Sequence, residues 1–347
     1  MSVIVEYARE SDAKAWRAFA DAHPQATLFH DLRWSAAVAA GYGYANKNLI
    51  ARRAGAISGV LPLTYVEAPL LGRSLISSAF AVGGGVLSSD PETAIALAAR
   101  ALELGRELNV NYVELRGGAG AGAGFIEKSD THATFEKELP KEADEILSFI
   151  PRRRRAEVKK ALAIEASGQF AIRTDATIDE FYSIYRRSLR DLGTPAMPKK
   201  FLIALKDEFG DEVETSIVEY RRAPVAGLLT FWRPNRVMPY YVGANEKARA
   251  LRAYDYLYYD LMRRAVERGV RIFDFGRSKV GSSHYATKTY WGFQPSPVYS
   301  RIGLVRASRL PNVNPNNPKF AAFVSLWKRT PLVIANTIGP ALARNFA

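Results

Sequence analysis

The hydrophobic and polar positions of this chain follow a helical period in some segments and the two-residue period of strands in others. The clearest helix is expected from Pro91 to Asn109, with proline in its first turn and apolar residues at helical spacing. Runs of β-branched and apolar residues on both sides of Arg53-Ala54-Gly55 predict a β-hairpin. A second hairpin is expected around Arg221-Arg222-Ala223.

These elements follow one another in the same order twice: two helices, a hairpin, a strand, a long helix and a strand that ends in glycine. Asn109 to Gly117 aligns with Arg268 to Gly276, and Ala56 to Leu61 aligns with Pro224 to Leu229. An internal repeat of this length implies two similar α/β domains, packed together with a cleft between them.

We expect the first domain to span residues 1–140, the second residues 141–310, and a linker and tail residues 311–347. The linker is rich in proline and asparagine and is not expected to hold regular structure. The tail mixes aromatic and aliphatic residues with lysine and arginine. This composition suits either an anionic membrane surface or packing across the two domains, and both alternatives stay open.

Composition narrows the class of protein. The 347 residues are 48% hydrophobic, and the formal net charge of +13 favours an anionic partner such as nucleic acid, a phosphorylated substrate or an acidic membrane surface. The absence of cysteine excludes disulfides, thiolate zinc sites and cysteine nucleophiles. The four histidines show no metal-ligand spacing. With neither a signal peptide nor an apolar run of spanning length, we expect a cytoplasmic protein, with peripheral contact to the inner membrane left open.

The stretch from Gly269 to Phe293 carries the densest candidate chemistry. A helix is expected to end at Gly269, and an aromatic, β-branched strand is expected to break at Gly276. The polar loop expected after it contains donors and titratable groups: Arg277, Ser278, Lys279, Ser282, Ser283, His284 and Lys288. A buried strand that opens onto such groups gives a site a rigid support, and an ordinary strand end with solvated charges is the alternative.

A basic helix is predicted after Pro151. Arg152, Arg155 and Lys159 share one face of it, and such a row of cations can bind phosphate oxygens through arginine forks. A solvated helix face is the alternative interpretation. The small-residue stretch from Gly117 to Gly124 is expected to be a loop, because it lacks the ending that a P-loop requires.

The repeat, the basic helix, and the Gly276-Arg277-Ser278 turn followed by Lys288 and Trp291-Gly292-Phe293 resemble the FemAB family. The sequence is most similar to the FemAB-like proteins associated with exopolysaccharide and PEP-CTERM sorting systems. The resemblance implies an α/β (α+β) fold of two tandem GNAT-like (GCN5-related) N-acyltransferase domains, with mixed central sheets flanked by helices, plus a C-terminal helical tail. The best-known members transfer amino acids from aminoacyl-tRNA onto the amine of a peptidoglycan precursor. This chain lacks the long charged helical insertion with which some members hold tRNA.

An acyltransferase that forms an amide bond is therefore expected, and aminoacyl or peptidyl transfer onto a cell-envelope precursor is the main hypothesis. The partners would be an aminoacyl-tRNA, acyl-CoA or acyl carrier protein as donor and an anionic nucleotide- or lipid-linked acceptor. The alternatives are an acyl-CoA- or carrier-protein-dependent enzyme acting on a polysaccharide or small-molecule amine, and a non-catalytic assembly factor. CoA is disfavoured because the position for a glycine-rich pyrophosphate turn reads Ala248 to Tyr254, without glycine. No metal and no bound cofactor are expected.

Amide formation needs a neutral amine, stabilisation of the tetrahedral oxyanion and a proton for the leaving group. We expect these in a cleft beside splayed strands of the second domain. The candidate catalytic residues are Asp274, His284 and Tyr285, and the candidate substrate- or phosphate-binding residues are Arg277, Ser278, Lys288, Arg152, Arg155, Tyr240 and Tyr241. The structural alternatives are internal pairing of Asp274 with an arginine, a surface position for His284 and a core position for the tyrosines.

Overall fold

The computed structural model describes residues 2–69, 71–310 and 318–346, so most of the predicted linker lies outside the described residues. The strands are β1 (Ile4–Tyr7), β2 (Ala45–Asn46), β3 (Leu49–Arg53), β4 (Ala56–Leu61), β5 (Leu63–Ala68), β6 (Gly72–Ser77), β7 (Leu87–Ser88), β8 (Tyr112–Arg116), β9 (Ile126–Lys128), β10 (His132–Glu138), β11 (Phe170–Arg173), β12 (Val213–Tyr220), β13 (Ala223–Arg233), β14 (Arg236–Ala244), β15 (Ile272–Lys279), β16 (Pro295–Pro297) and β17 (Ser300–Leu304).

The helices are α1 (Ala13–Ala22), α2 (Leu32–Tyr42), α3 (Pro91–Glu107), α4 (Ile146–Phe149), α5 (Arg152–Ala166), α6 (Ile178–Leu192), α7 (Lys199–Phe209), α8 (Ala248–Leu251), α9 (Ala253–Glu267), α10 (Ser283–Tyr290), α11 (Pro318–Arg329) and α12 (Leu332–Ala343). Short 3-10 turns occupy Glu10–Asp12, Leu28–His30, Ala143–Glu145, Gly210–Glu212 and Arg344–Phe346.

The predicted long helix and both predicted hairpins are confirmed. Helix α3 begins with Pro91 under an Asp90 cap, whose carboxylate accepts the Thr93 backbone N–H at 2.9 Å. It ends just before Asn109, which adopts a left-handed conformation with φ of 53°. β3 and β4 pair around Ala54-Gly55, and β12 and β13 pair around Arg221-Arg222, all with positive φ as two-residue hairpin turns require.

The doubled architecture is confirmed by two parallel strand pairs. In the first repeat β6 pairs with β8, and in the second β14 pairs with β15; the long helices α3 and α9 precede β8 and β15. The pair in the second repeat is joined at its start through two residue pairs, and the pair in the first repeat through three, from Ser74 to Ile76 of β6. Beyond these pairs the strands diverge. We call the gap beyond β6 and β8 the first mouth and the gap beyond β14 and β15 the second mouth.

Three sheets hold the described strands. The first repeat contains the orders β1-β3-β4-β7 and β2-β5-β6-β8-β17-β9, and the second contains β11-β12-β13-β14-β15-β10-β16. Strand β10 precedes residue 140 yet pairs with β15, whereas β17 lies much later in the chain yet pairs with β8. This reciprocal pairing joins the two halves through main-chain hydrogen bonds. The domain boundaries themselves stay predictions.

The two repeats also share a hydrophobic core. Trp34 of α2 is fully buried, and its ring contacts Phe201 of α7 and Phe231 of β13 at centroid distances of 5.8 and 6.0 Å. The backbone at Gly41 lies so close to Phe201 that a Cβ there would overlap it, which explains the glycine. The repeats are therefore packed into one body, and side chains from both can contribute to one site.

The strand does not break at Gly276, so that prediction is wrong. β15 continues to Lys279, and Phe275 and Gly276 together lie opposite Phe135 in a β-bulge, where Gly276 supplies a φ of +64°. The predicted polar loop is also wrong in part, because residues from Ser283 form helix α10. The Ser282 hydroxyl caps this helix by accepting the Tyr285 backbone N–H at 3.1 Å.

The tail packs across both repeats, which is one of the two alternatives expected for it. The buried Trp327 of α11 donates its indole N–H to the carbonyl of Thr194 at 3.1 Å, and Tyr44 of the first repeat donates to the carbonyl of Arg344 at 2.8 Å. Among the described helices, none combines the length and apolar character needed to cross a membrane.

Candidate active site

Strand β15 supplies the centre of the candidate site. A strand normally alternates its side chains between two faces, and the extra residue at the Gly276 bulge shifts this alternation. Asp274 and Arg277, three positions apart, are consequently brought to the same side. Arg277 lies beside Arg116 and Glu114 of β8, while Asp274 pairs with Arg236 of β14.

Asp274 is almost completely buried, and both carboxylate oxygens have partners. Oδ1 accepts the Gly276 backbone N–H at 2.7 Å, and Oδ2 accepts from the Arg236 guanidinium at 3.1 Å. Burial raises the pKa of Asp274, and the charge of Arg236 opposes part of this rise. The expected alternative, internal pairing with an arginine, is therefore present. Asp274 also holds the bulge in place through Gly276.

Lys288 of α10 reaches back to the bulge. Its Nζ donates to the carbonyl oxygens of Gly276 and Arg277 at 3.2 and 3.0 Å. Burial lowers the pKa of Lys288 to about 8; the charge of Arg277 adds to this effect, whereas that of Asp274 opposes it. An ammonium group has three N–H donors, so one remains for a substrate oxygen.

Arg277 is a largely enclosed guanidinium without a partner: within the described ranges, its side chain makes neither a hydrogen bond nor an ion pair. Burial and the nearby charge of Arg116 lower the pKa of Arg277 to about 10. Arg116 is itself paired with Glu114 at 3.1 Å, and Glu114 also accepts the Ser300 hydroxyl at 2.9 Å. An enclosed cation left over after this pairing is a binding point for an anionic group.

Glu114 responds to the same cations. Burial alone would raise its pKa, yet Arg116, Ser300 and Arg277 together lower it, so the carboxylate is charged at neutral pH. The group formed by Asp274, Arg277, Lys288, Arg116 and Glu114 is called the polar cluster below. It holds three cations and two carboxylates, and one of these carboxylates, Asp274, also accepts a hydrogen bond from Arg236.

The two tyrosines of β14 differ in their surroundings. Tyr240 is the extra residue of a second bulge, opposite Leu229 and Thr230, and its hydroxyl donates to the Phe80 carbonyl at 3.2 Å. Tyr241 packs on Tyr185 at 5.8 Å, and its buried hydroxyl has no hydrogen-bond partner among the described residues. Burial raises the pKa of both. Tyr240 borders the polar cluster, whereas Tyr241 belongs to the core.

Three further candidates lie beside cluster residues along the chain: Ser278 follows Arg277, and His284 and Tyr285 lie one helical turn before Lys288. Ser278 is buried, and its hydroxyl has no partner in the described part of the chain. Tyr285 is half-buried with its ring edge-on to Phe135 at 5.1 Å. His284 is exposed near the start of α10, as its structural alternative predicted. Partial desolvation of its ring by neighbouring residues and the charge of Lys288 lower its pKa.

The predicted phosphate-binding residues of α5 are not brought to the cluster. Arg152 is exposed, and Arg155 donates to the carbonyls of Ser148 and Ile150 at 2.6 and 3.0 Å, capping the end of α4. In the described residues, neither arginine shares a hydrogen bond, ion pair or ring contact with a cluster residue. The helical face was predicted correctly, but the helix packs against α9.

Sequence reasoning missed Arg116, Glu114 and Arg236. The alignment of Asn109–Gly117 with Arg268–Gly276 placed the ends of β8 and β15 at equivalent positions, and this was the available signal.

A groove of about 1070 Å³ is lined by residues of both repeats. The sequence predicted a cleft between the repeats but not the residues that line it. Arginines from both repeats line it, including Arg33, Arg233 and Arg236, and Arg236 connects it to Asp274.

Helix α5 lies against the start of α9, the position considered for a CoA pyrophosphate. Arg154 pairs with Asp255 at 2.8 Å, and Glu157 pairs with Arg252. The carboxylate of Asp255 thus already lies in the first turn of α9, at the positive end of the helix where a pyrophosphate would bind. Over the residues that the structure describes, no group of three or more His, Asp or Glu side chains is placed to hold a metal ion.

Comparisons with known proteins fit this geometry. A family model for an acetyltransferase (GNAT) domain matches residues 152–287. The fold is similar to the crystal structure of FemX, with a TM-score of 0.66 and 15% identity over 88% of this chain and 98% of that one.

Two further structures are similar in fold. A tandem GNAT protein from the clavulanic acid biosynthesis pathway has a TM-score of 0.58 and 13% identity over 89% of this chain and 99% of that one. A protein of unknown function from Bacteroides thetaiotaomicron has a TM-score of 0.56 and 11% identity over 88% of this chain and all of the other, at 100%. No curated protein matches the chain. The protein is an acyltransferase whose mixed sheets and flanking helices form two tandem GNAT-like units, as the sequence predicted.

Proposed function

We propose that this protein forms an amide bond in the manner of the FemAB family, by transferring an aminoacyl or peptidyl group onto the amine of a cell-envelope precursor. The observation that carries the proposal is the polar cluster at the second mouth, in which the enclosed Arg277 has no partner and Lys288 keeps a free N–H. Such groups suit a reaction that brings an anion and develops negative charge on a carbonyl oxygen.

The transfer distributes its steps among these residues. The acceptor amine attacks the ester carbonyl of the donor, a C–N bond forms, and the carbonyl oxygen takes the negative charge. Lys288 donates its remaining N–H to this oxygen. As the C–O bond breaks, the proton lost by the amine passes through Asp274, directly or through water, to the leaving hydroxyl. Arg277 binds a phosphate or carboxylate of one substrate.

The groove between the repeats suits the acceptor. Arg33 and Arg233 lie along it and share the carboxylates of Asp31 and Glu212, with Arg33 to Glu212 at 2.8 Å and Arg233 to Glu212 at 2.6 Å. Arginines held in place by such pairs present their remaining N–H groups to a phosphate without losing side-chain freedom. Arg236 lines this groove and pairs with Asp274, so we infer that an acceptor bound there brings its amine toward the carboxylate.

The start of α9 favours an aminoacyl donor over acyl-CoA. Asp255 and the covering helix α5 oppose a pyrophosphate at that position. The acyltransferase domain also argues against a purely structural role as an assembly factor.

Turnover with purified full-length protein tests the proposal. Labelled aminoacyl-tRNA and acetyl-CoA are offered in parallel, each with a pool of amine-bearing, nucleotide-linked cell-wall precursors. We expect label from aminoacyl-tRNA to appear in the precursor as an amide, and RNA binding to weaken steeply with salt. Transfer from acetyl-CoA alone, or no transfer from either donor, would overturn the proposal.

Asp274→Asn tests the assigned proton acceptor in the same assay. The amide keeps the Gly276 hydrogen bond but cannot take a proton, so we expect turnover to fall at least about 100-fold with substrate binding retained. Asp207→Asn, at an exposed position on α7, is the matched control and should leave turnover unchanged. Unchanged turnover in Asp274→Asn would remove this residue from the mechanism.

A further inference from the structure

We propose that the outer face of α12 docks on the surface of an anionic lipid bilayer. This face is apolar and exposed: Val333 is 78% exposed and Ile334 49%, and on the adjoining α11 Leu326 is 70% exposed. Apolar side chains clustered on one surface, rather than scattered singly, mark an interaction site. The proposal does not depend on the function proposed above.

Helix α12 is apolar on both sides. Its buried positions are the small residues Ala335, Gly339 and Ala343, and Gly339 packs near Trp327 and Ala196. The outward row consists of Val333, Ile334, Thr337, Ile338 and Ala341, and the helix contains no charged residue. A surface helix normally turns a polar face to water, so this outward row is available for an apolar environment.

Charge identifies lipid as the occupant. From Pro318 to Ala347 the sequence contains four Lys or Arg residues and neither Asp nor Glu. Lys328 and Arg329, both exposed, lie immediately before α12. An apolar helix face with cations at its edge matches the boundary between acyl chains and anionic headgroups. A second copy of the chain is a poorer partner, because it would bring two basic surfaces together.

The geometry indicates a helix that lies in the plane of the interface. The twelve residues of α12 extend about 18 Å, and α11 and α12 are already tied to both repeats through Trp327 and Arg344. Docking therefore needs no rearrangement: the outward row enters the headgroup region while the buried row keeps its contacts with the protein.

Vesicle co-sedimentation tests the proposal with the full-length protein. We expect binding to phosphatidylglycerol-containing vesicles, weaker binding to pure phosphatidylcholine, and a further decrease with salt. Val333→Asp with Ile334→Asp should lower the apparent affinity more than about tenfold, because two apolar anchors become charged. Lys328→Gln with Arg329→Gln should reduce the preference for anionic vesicles and its salt dependence.

Ile95→Asp is the matched control, since Ile95 is 50% exposed on helix α3 of the first repeat, far along the chain from the tail. It should bind vesicles like the wild type, and thermal melting checks that all variants fold. Equal binding by the α12 variant and the wild type, or no binding to any vesicle, would overturn the proposal. So would a concentration-dependent dimer that the α12 substitutions abolish, because the occupant would then be a second copy.

Discussion

The two mouths begin from the same architecture and end in opposite states. In both, a parallel strand pair opens after two or three residue pairs, and polar side chains lie where the strands diverge. At the first mouth these side chains have protein partners. At the second, several have none. The comparison indicates that the second mouth provides the groups without partners, whereas Arg116 and Glu114, which β8 contributes to the candidate site, are already paired with each other.

Backbone fills the first mouth. Residues 78–86 run through it, with Ser78 and Phe80 in left-handed conformations, and Val86 forms a parallel bridge with Gly118. Gly85 lies so close to Gly117 that a Cβ would overlap its carbonyl oxygen. His30 donates from Nε2 to the Gly85 carbonyl at 3.0 Å, which holds the segment in place. Backbone therefore occupies the gap between these strands.

The second mouth has no such plug in the described residues. The Arg277 guanidinium and the Ser278 hydroxyl lack partners there, and Lys288 is held by carbonyl oxygens instead of a carboxylate. Buried polar groups without partners destabilise a protein, so their presence at one mouth only indicates a group that pairs when substrate binds.

Matched arginine substitutions should give the largest contrast. Arg116→Met leaves Glu114 buried without its main partner, so we expect the free energy of unfolding to fall by about 3–5 kcal/mol. Arg277→Met removes a cation that has no partner, so we expect the free energy of unfolding to change by less than about 1 kcal/mol. Turnover should fall by at least about 100-fold. Urea unfolding and the transfer assay measure the two effects.

The result that would contradict the comparison is equal destabilisation by both substitutions, because Arg277 would then be a structural residue like Arg116. The double variant provides the control: if Arg277 moves to Glu114 when Arg116 is absent, the two losses of stability will not add.

The pH dependence of stability should separate the mouths by a smaller amount. Burial lowers the pKa of His30 to about 4, so between about pH 4 and 6.5 the folded state binds fewer protons than the unfolded state. The contribution of His30 to the free energy of unfolding is therefore complete above pH 6.5 and is lost as pH falls toward 4. Lys288, lowered to about 8, contributes fully only above about 10.5, and that contribution is lost as pH falls to 8.

As pH falls from about 6.5 to about 4, the free energy of unfolding of the wild type should therefore decrease by up to roughly 3 kcal/mol relative to that of His30→Gln. As pH rises from about 8 to about 10.5, the free energy of unfolding of the wild type should increase by up to roughly 3 kcal/mol relative to that of Lys288→Met. Denaturant titrations at fixed pH values measure both differences. Parallel curves for the wild type and either variant would show that the corresponding group has no shifted pKa.

Local patterns were enough to predict the doubled unit, the hairpins and the long helices, because turn residues and hydrophobic periodicity act over a few neighbours. The bulge at Gly276 was missed since a glycine within a strand can equally end it. The exchange of β10 and β17 was missed because nothing local decides which sheet a strand joins. Arg116 acquires its role only by lying beside Arg277, a contact between distant parts of the chain.

Two buried serines give the smallest and most direct comparison. Ser77, at the end of β6, is fully buried and its hydroxyl accepts the Arg116 backbone N–H at 2.8 Å, so Ser77→Ala should cost about 1–2 kcal/mol by leaving that donor unpaired. Ser278, on β15, has no partner in the described residues, so Ser278→Ala should be neutral or stabilising by up to about 1 kcal/mol.

If Ser278 binds substrate, this stable variant will show a higher KM, whereas Ser77→Ala will keep the KM of the wild type in whatever fraction remains folded. Equal losses of stability in both variants would mean that the Ser278 hydroxyl has a protein partner in solution, and the second mouth would then resemble the first at this position.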